Sequence, residues 1–278
     1  MIVIDSTVSN LDSGNTFRLT NDQLQREQDF YDERWKNYGK PENDRGRIEL
    51  TSSVIPAGCN RILDVGCGDG RLSQVIRKER ECFLVGFDLS MVALRQYFGP
   101  RCCGSASQLP FLNRSFDLVV TTEVLEHLPE PVYHQALNEI SRVTNKYILI
   151  SVPNQENLTE NLAACATCGC RFHVWGHLHS YSITGLEGLF SDFRLVRAFA
   201  FGDEGETYNR SLLWVRQRLA GRFAWEERTV CYSCHGTSSL VPRWPFLVRV
   251  CDGLNARFWA PFFKRPGWLL GLYARREP

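Results

Sequence analysis

Residues 62–70 read Ile-Leu-Asp-Val-Gly-Cys-Gly-Asp-Gly, and this stretch decides the fold. The first half, with Arg61, is a short apolar strand over 61–65, unbroken by polar alternation and so suited to burial on both faces. The second half is a glycine-rich turn over 66–70. Gly66 and Gly68 let the backbone approach a ligand that a Cβ would exclude. Residues 71–80 continue as a helix with Leu72, Val75 and Ile76 on one face. Its first N–H groups point to the same place and favour a carboxylate. A second apolar strand, 82–87, ends at Asp88, 22 residues beyond Gly66. A carboxylate there can accept both hydroxyls of a ribose.

Outward from this unit the chain alternates strand and helix. Helices are expected over 26–38, with Phe30, Tyr31, Trp35 and Tyr38 on an aromatic face, and over 47–54, ending before Pro56-Ala57-Gly58. Further helices are expected over 91–97, 131–143 and 183–190, and strands over 116–121, 146–152, 193–201 and 267–275. Strands separated by helices imply right-handed βαβ crossovers, an α/β fold with a parallel sheet and helices on both faces. Residues 1–25 read as a polar N-terminal arm. Residues 154–182, rich in Cys, His, Asn and Gly, and residues 202–266 break the rhythm and read as two insertions.

The 278 residues are 44% hydrophobic and 23% charged, enough for one large α/β domain with insertions. A formal net charge of +1 gives no reason to expect nucleic acid as partner. No secretory leader and no spanning apolar stretch are visible, so a cytoplasmic location is expected. Eleven cysteines then imply reduced thiols or metal ligands, not a disulfide framework.

The turn is Gly-x-Gly-x-Gly, where dinucleotide binders use Gly-x-Gly-x-x-Gly. Strand, turn, helix, strand and terminal acid together resemble the class I S-adenosylmethionine-dependent methyltransferases, whose sheet is seven-stranded and Rossmann-like. The resemblance continues through Gly104-Ser105-Ala106-Ser107-Gln108-Leu109-Pro110-Phe111, through the strand 116–120 with Glu123-Val124-Leu125-Glu126-His127-Leu128 behind it, and through Tyr31-Asp32-Glu33-Arg34-Trp35, similar to the family's N-terminal cover helix. It places the methyltransferase domain over 26–201 and 267–278. It implies that backbone at Gly66 and Gly68 holds the methionine end of the cofactor with Asp64 in support, that Asp88 takes the ribose, and that Ser105 and Ala106 face the adenine. Glu123 and Glu126 would shape the loop behind it. Ser105 departs from the family's usual Asp; as a neutral acceptor it would hold the adenine amine less strongly.

Two Cys-x-x-Cys pairs, Cys165/Cys168 and Cys231/Cys234, lie one in each insertion. Together they supply four soft ligands for a tetrahedral structural Zn²⁺. Cys170, His173 and His235 are spare donors. A redox pair, arsenite-binding thiols and unmetallated buried thiols are the alternatives. Some bacterial methyltransferases look similar here, with a CxxCG segment followed by a stretch like Gly176-His177-Leu178-His179-Ser180-Tyr181.

Methyl transfer from a sulfonium needs alignment and exclusion of water, and for an oxygen or nitrogen acceptor a base in reach. His127, after the strand 116–121, is the first candidate base, His177 the second and His179 the third. The expected acceptor is a small molecule or a glycan, at oxygen. A non-catalytic cofactor-binding scaffold, with a zinc-stabilised insertion that holds a partner, is the alternative. Between Arg243 and Arg276, cations mix with Trp244, Phe246, Phe258, Trp259, Phe262, Phe263 and Trp268. Membrane-surface contact is one reading. The favoured one is a helical cap whose aromatics pack on the sheet edge and whose cations are solvated.

Overall fold

The computed structural model describes residues 21–37, 45–225, 229–234 and 236–276. In chain order the elements are α1 (Asn21–Asn37), α2 (Arg45–Ser53), β1 (Arg61–Val65), α3 (Arg71–Glu79), β2 (Phe83–Asp88), α4 (Met91–Leu94), β3 (Arg101–Cys103) and β4 (Phe116–Thr122). A 3₁₀ turn (Leu125–His127), α5 (Glu130–Val143), β5 (Thr144–Pro153), β6 (Leu162–Ala164), β7 (Arg171–His173), α6 (Ile183–Leu186) and β8 (Phe193–Glu206) follow. Then come α7 (Arg210–Trp214), continued by a π turn (Val215–Leu219), α8 (Pro245–Phe258) and β9 (Lys264–Arg275).

Seven strands form one sheet in the order β3-β2-β1-β4-β5-β9-β8. The pairs β1/β2, β1/β4, β2/β3 and β4/β5 are parallel, with Leu63 opposite both Val85 and Val119. This is the Rossmann-like α/β architecture expected from the sequence. Ile62, Leu63, Leu118, Val119, Val120, Ile148, Leu149 and Ile150 are fully buried, as strands covered on both faces require. On α5, Val132, Ala136, Leu137, Ile140 and Val143 form the buried stripe.

The chain divides into two compact units, residues 1–152 with 182–199 and 269–278, and residues 153–181 with 200–268. In the second unit β6 and β7 form an antiparallel hairpin, with Ala163 opposite Phe172. There Asn209 caps α7 through the N–H groups of Ser211 and Leu212. Asp252 on α8 accepts from both Tyr208 Oη and Arg216 Nε at 2.8 Å, joining α8 to the α7 region.

Several boundaries differ from expectation. The N-terminal arm lies outside the described residues up to position 20, but residues 21–25 belong to α1, where Gln25 donates to Asp29 one turn on. The 91–97 helix stops at Leu94, and the 183–190 helix stops at Leu186 just before Gly188 at φ +77, a backbone no helix continues through. β8 runs on to Glu206 and β9 starts at Lys264, so both ends of the second expected insertion are strand. The expected helix is present as α8, but its aromatics are not packed away: Trp244, Phe246, Phe258 and Phe262 are exposed, at 60%, 77%, 67% and 75%.

Candidate functional site

The turn between β1 and α3 is built on left-handed backbone. Gly66, Gly68 and Gly70 have φ of 75°, 54° and 83°. Gly66 and Cys67 donate their N–H groups to Phe87 O at 2.7 and 3.2 Å, fastening the turn to the end of β2. Asp88 completes the fastening: Oδ2 accepts from Gly68 N and Oδ1 from Ser90 N, both at 2.8 Å. Burial pushes the Asp88 carboxyl up, against the lowering effect of the Ser90 and Gly68 N–H groups. The bare glycines are close against neighbours: a Cβ on Gly66 would fall 2.0 Å from Val124 Cγ2, and one on Gly68 would fall 2.6 Å from Trp35 Cζ2.

Asp64 is the buried foundation of this turn. Its Oδ2 accepts from Ser73 Oγ at 2.6 Å, and Ser73 Oγ accepts from Tyr97 Oη at 3.0 Å, which in turn accepts from Arg77 at 3.0 Å. Burial raises the Asp64 carboxyl to about 6, opposed by the Ser73 hydroxyl. Burial also pushes the neighbouring Cys67 thiol far up, so it stays a neutral packing group.

The rim is supplied from further along the chain. Asp32 on α1 accepts from Ser90 Oγ at 2.5 Å and from Val92 N at 3.1 Å, docking the helix that carries Trp35 onto the β2–α4 turn. After β4, Glu123 holds a left-handed φ of 58° and donates its N–H to Ser151 O at 3.0 Å. A non-glycine residue in that region is a strained position of the kind that gathers at ligand sites. It turns Val124 onto Gly66. His127 closes the 3₁₀ turn, its N–H on Val124 O and its Nε2 3.9 Å from Glu126 Oε1. Ser105 Oγ lies 2.9 Å from Ser107 Oγ, and Ala106 between them is half-buried.

Asp64, Gly66, Gly68 and Asp88 are thus brought together, with the Glu123–Val124 corner against them. Asp32, Ser73, Ser90 and Val124 were not singled out from sequence. Ser90 had a readable signal, an N-cap serine before α4 whose Oγ accepts from Ala93 N. Asp32 stands in the stretch similar to the cover helix, but its own role was not legible, because it acts on a turn 58 residues away.

In the second unit the hairpin turn between β6 and β7 carries Cys165 and Cys168. Ala166 N donates to Ser238 O and Leu240 N to Ala164 O, tying the segment after Cys234 to the same hairpin. The Sγ atoms of Cys165, Cys168, Cys231 and Cys234 all lie within 4.8 Å of one another. Cys165–Cys234 and Cys168–Cys231 are each 3.6 Å apart. This is too long for a disulfide, and all four are free thiols. Four sulfurs at the usual Zn–S distance on a tetrahedron stand about 3.8 Å apart. The N–H of Cys168 holds the Cys165 thiol down at about 6. Gly236 lets the second turn close: a Cβ there would sit 3.2 Å from Cys165 Sγ and 3.3 Å from Cys234 Sγ. Of the spare donors, Cys170 accepts from Ser233 Oγ, His173 is engaged elsewhere and His235 lies outside the described residues.

That engagement is a buried triad. Glu156 Oε2 is 2.5 Å from His177 Nδ1, and Oε1 is 3.3 Å from His173 Nε2, with the two imidazoles stacked at 4.8 Å. His173 Nδ1 accepts the N–H groups of Trp175 and His177, which puts the ring proton on Nε2, facing Glu156. Burial would raise the Glu156 carboxyl, but the hydrogen bonds from His173 and His177 win and hold it far below its ordinary range. His179, the third candidate base, has its ring 6.5 Å from that of Tyr181.

Comparison with known proteins places the turn and the strands around it. Residues 63–147 match the family described as a methyltransferase domain. An uncharacterized protein of Methanocaldococcus jannaschii is 32% identical over 101 residues, 35% of this chain and 42% of that protein. The Ubiquinone biosynthesis O-methyltransferase of Albidiferax ferrireducens is 32% identical over 99 residues, 31% of this chain and 38% of the enzyme. The chain therefore spans about two fifths of the length of these curated relatives. The 1,6-didemethyltoxoflavin-N1-methyltransferase of Burkholderia thailandensis, solved with S-adenosylhomocysteine, superposes with a TM-score of 0.53 at 14% identity, covering 96% of this chain and 94% of the other. At that identity the likeness is one of fold. Residues 63–147 thus match the methyltransferase-domain family, and the strands they contain belong to a seven-stranded Rossmann-like sheet.

Proposed function

We propose that the chain transfers a methyl group from S-adenosylmethionine to a small-molecule or glycan acceptor, at oxygen, and that its four clustered cysteines hold a structural Zn²⁺. The observation that carries the first part is the clamp of Asp88 on Gly68 N at the carboxyl edge of β1 and β2, where open α/β sheets take their ligands. A cofactor carboxylate suits the N–H groups that open α3. Gly66 and Gly68 would hold the methionine end, Asp64 would support the turn, and Asp88 would accept from the ribose. Ser105, Ala106 and Glu123 would line the remainder. When bound, the cofactor supplies a sulfonium methyl group open to in-line attack. The chain's task is then to orient, exclude water and take a proton.

For that proton the candidates are His127 and His177. The Glu156 carboxylate beside His177 Nδ1 supports the tautomer in which the other ring nitrogen accepts. The choice of oxygen is supported by the O-methyltransferase relative, and a small acceptor by the toxoflavin methyltransferase neighbour. For zinc, the support is the donor set itself: four thiols near tetrahedral spacing in two facing turns. Zinc there would tie 165–168 to 231–234 and serve no chemical step.

Titration calorimetry with S-adenosylmethionine and S-adenosylhomocysteine tests the reading, and no heat with either ligand at several temperatures rejects it. A screen of phenols, glycans and other hydroxylated acceptors, scored by S-adenosylhomocysteine release, then identifies the acceptor. Replacing the acting base, His127→Ala or His177→Ala, should lower kcat by about 10²- to 10⁴-fold without changing S-adenosylhomocysteine affinity.

A further inference from the structure

Helix α8 carries Phe246, Val250, Leu254 and Phe258 at four-residue intervals, one ridge along its length. All four are exposed, at 77%, 37%, 41% and 67%. The neighbouring ridge holds Arg249 and Arg257, also exposed. The opposite face is the one that packs: Cys251 and Asn255 are buried, and Asp252 turns to Tyr208 and Arg216. Trp244 stands 60% exposed at the start of the helix, and Phe262 stands 75% exposed just beyond its end.

Water-facing helices place charge, not four large apolar side chains, on their outer ridge, and a contiguous apolar patch of this size marks a contact surface. Charge selects the occupant. Between positions 243 and 265 there are five cations, Arg243, Arg249, Arg257, Lys264 and Arg265, and one acid, Asp252, which is paired with Arg216. The whole chain carries only +1, so the positive charge is concentrated here. An apolar ridge beside an arginine row, with aromatic residues at both ends, fits the boundary between acyl chains and anionic headgroups. Nucleic acid would meet the arginines but gain nothing from Val250 and Leu254. Among the described residues no helix is long and apolar enough to cross a membrane, so the contact is one of lying on the surface.

We propose that α8 docks the protein on an anionic lipid surface, with the Phe246–Val250–Leu254–Phe258 ridge inserted and Arg249 and Arg257 at the headgroups. The inference goes beyond the methyl-transfer reading and does not depend on it.

The test is co-sedimentation of the full chain, purified with zinc, with vesicles of phosphatidylcholine alone and of phosphatidylcholine mixed with phosphatidylserine. Binding is expected to the mixed vesicles, weakening as salt rises. Arg249→Glu with Arg257→Glu should weaken partition by about tenfold or more, and Phe246→Ser with Leu254→Ser should abolish it, both with unchanged far-ultraviolet dichroism. The charge pair is read independently should the apolar pair disturb folding. No binding by the wild type to the mixed vesicles at low salt overturns the proposal, as does undiminished binding by the charge variant. So does a concentration-dependent dimer in sedimentation equilibrium that Phe246→Ser dissociates while vesicles remain unbound, which would assign the ridge to a second copy.

Discussion

Gly68 donates its N–H to Asp88 Oδ2 at 2.8 Å, so the glycine turn and the acid that ends the next strand are one hydrogen-bonded piece. Asp88→Ala removes the clamp and the expected ribose acceptor together. It should weaken S-adenosylhomocysteine binding by about 10- to 100-fold, since hydrogen bonds to a charged acceptor are worth roughly 1.5–3 kcal/mol. Calorimetry against the wild type checks this, and unchanged affinity would remove the cofactor assignment.

Gly68→Ala puts a Cβ 2.6 Å from Trp35 Cζ2 on a backbone at φ 54°. Both the left-handed strain and the clash oppose it, and a loss of about 1–3 kcal/mol in urea unfolding is expected. Adding Trp35→Ala should recover the clash part but not the strain, so the double variant should be more stable than the sum of the two single changes. Strict additivity would mean that Trp35 does not press on the turn.

Asp64 gives a pH dependence whose sign runs against the usual carboxylate. Its folded value, about 6, lies above the unfolded value, so the folded state holds the proton more tightly. The stability linked to that proton is full below about pH 4 and is lost as pH rises through about 6, a cost on the order of 3 kcal/mol at pH 7. Asp64→Asn has no such proton to lose. The variant should exceed the wild type in stability at pH 7, and the margin should shrink toward pH 5, as measured by urea titration at the two values. A margin that does not change with pH would contradict the burial of an ionised carboxylate at this position.

The Cys165–Cys234 and Cys168–Cys231 spacings predict zinc in the purified protein, released when the thiols are modified. Cys231→Ser should lose most of it and lower the unfolding temperature, since Cys231 and Cys165 are both fully buried in the apolar cluster with Phe172 and Val174. Elemental analysis and a thermal scan of the two proteins decide it. A metal-free wild type with an unfolding transition equal to that of Cys231→Ser would refute the site.

The seven-stranded sheet and its decisive turn were legible because strand, glycine turn, helix and acid are local features. Each follows from a run of a few residues, whether the β-rich 61–65, the bare backbone at Gly66 and Gly68, or Asp88 at a strand end. Helix lengths were less legible, since α4 and α6 are single turns whose ends depend on Ser90 and Ser182 caps and on Gly188. The aromatics of α8 were misjudged, because the same spacing describes a buried face and an exposed one.

By itself the sequence determined the α/β alternation, the place of the glycine turn and the two Cys-x-x-Cys pairs, because periodicity, left-handed glycines and short motifs act within a few residues of one another. Only the tertiary structure decided that Asp32 grips Ser90, that Trp35 lies over Gly68, that the two thiol pairs meet, and that Glu156 joins His173 to His177. Those contacts join residues between 17 and 69 positions apart at the extremes of His173 with Glu156 and Cys165 with Cys234. What sets them is how folded segments stack in space, which no local pattern of residues encodes.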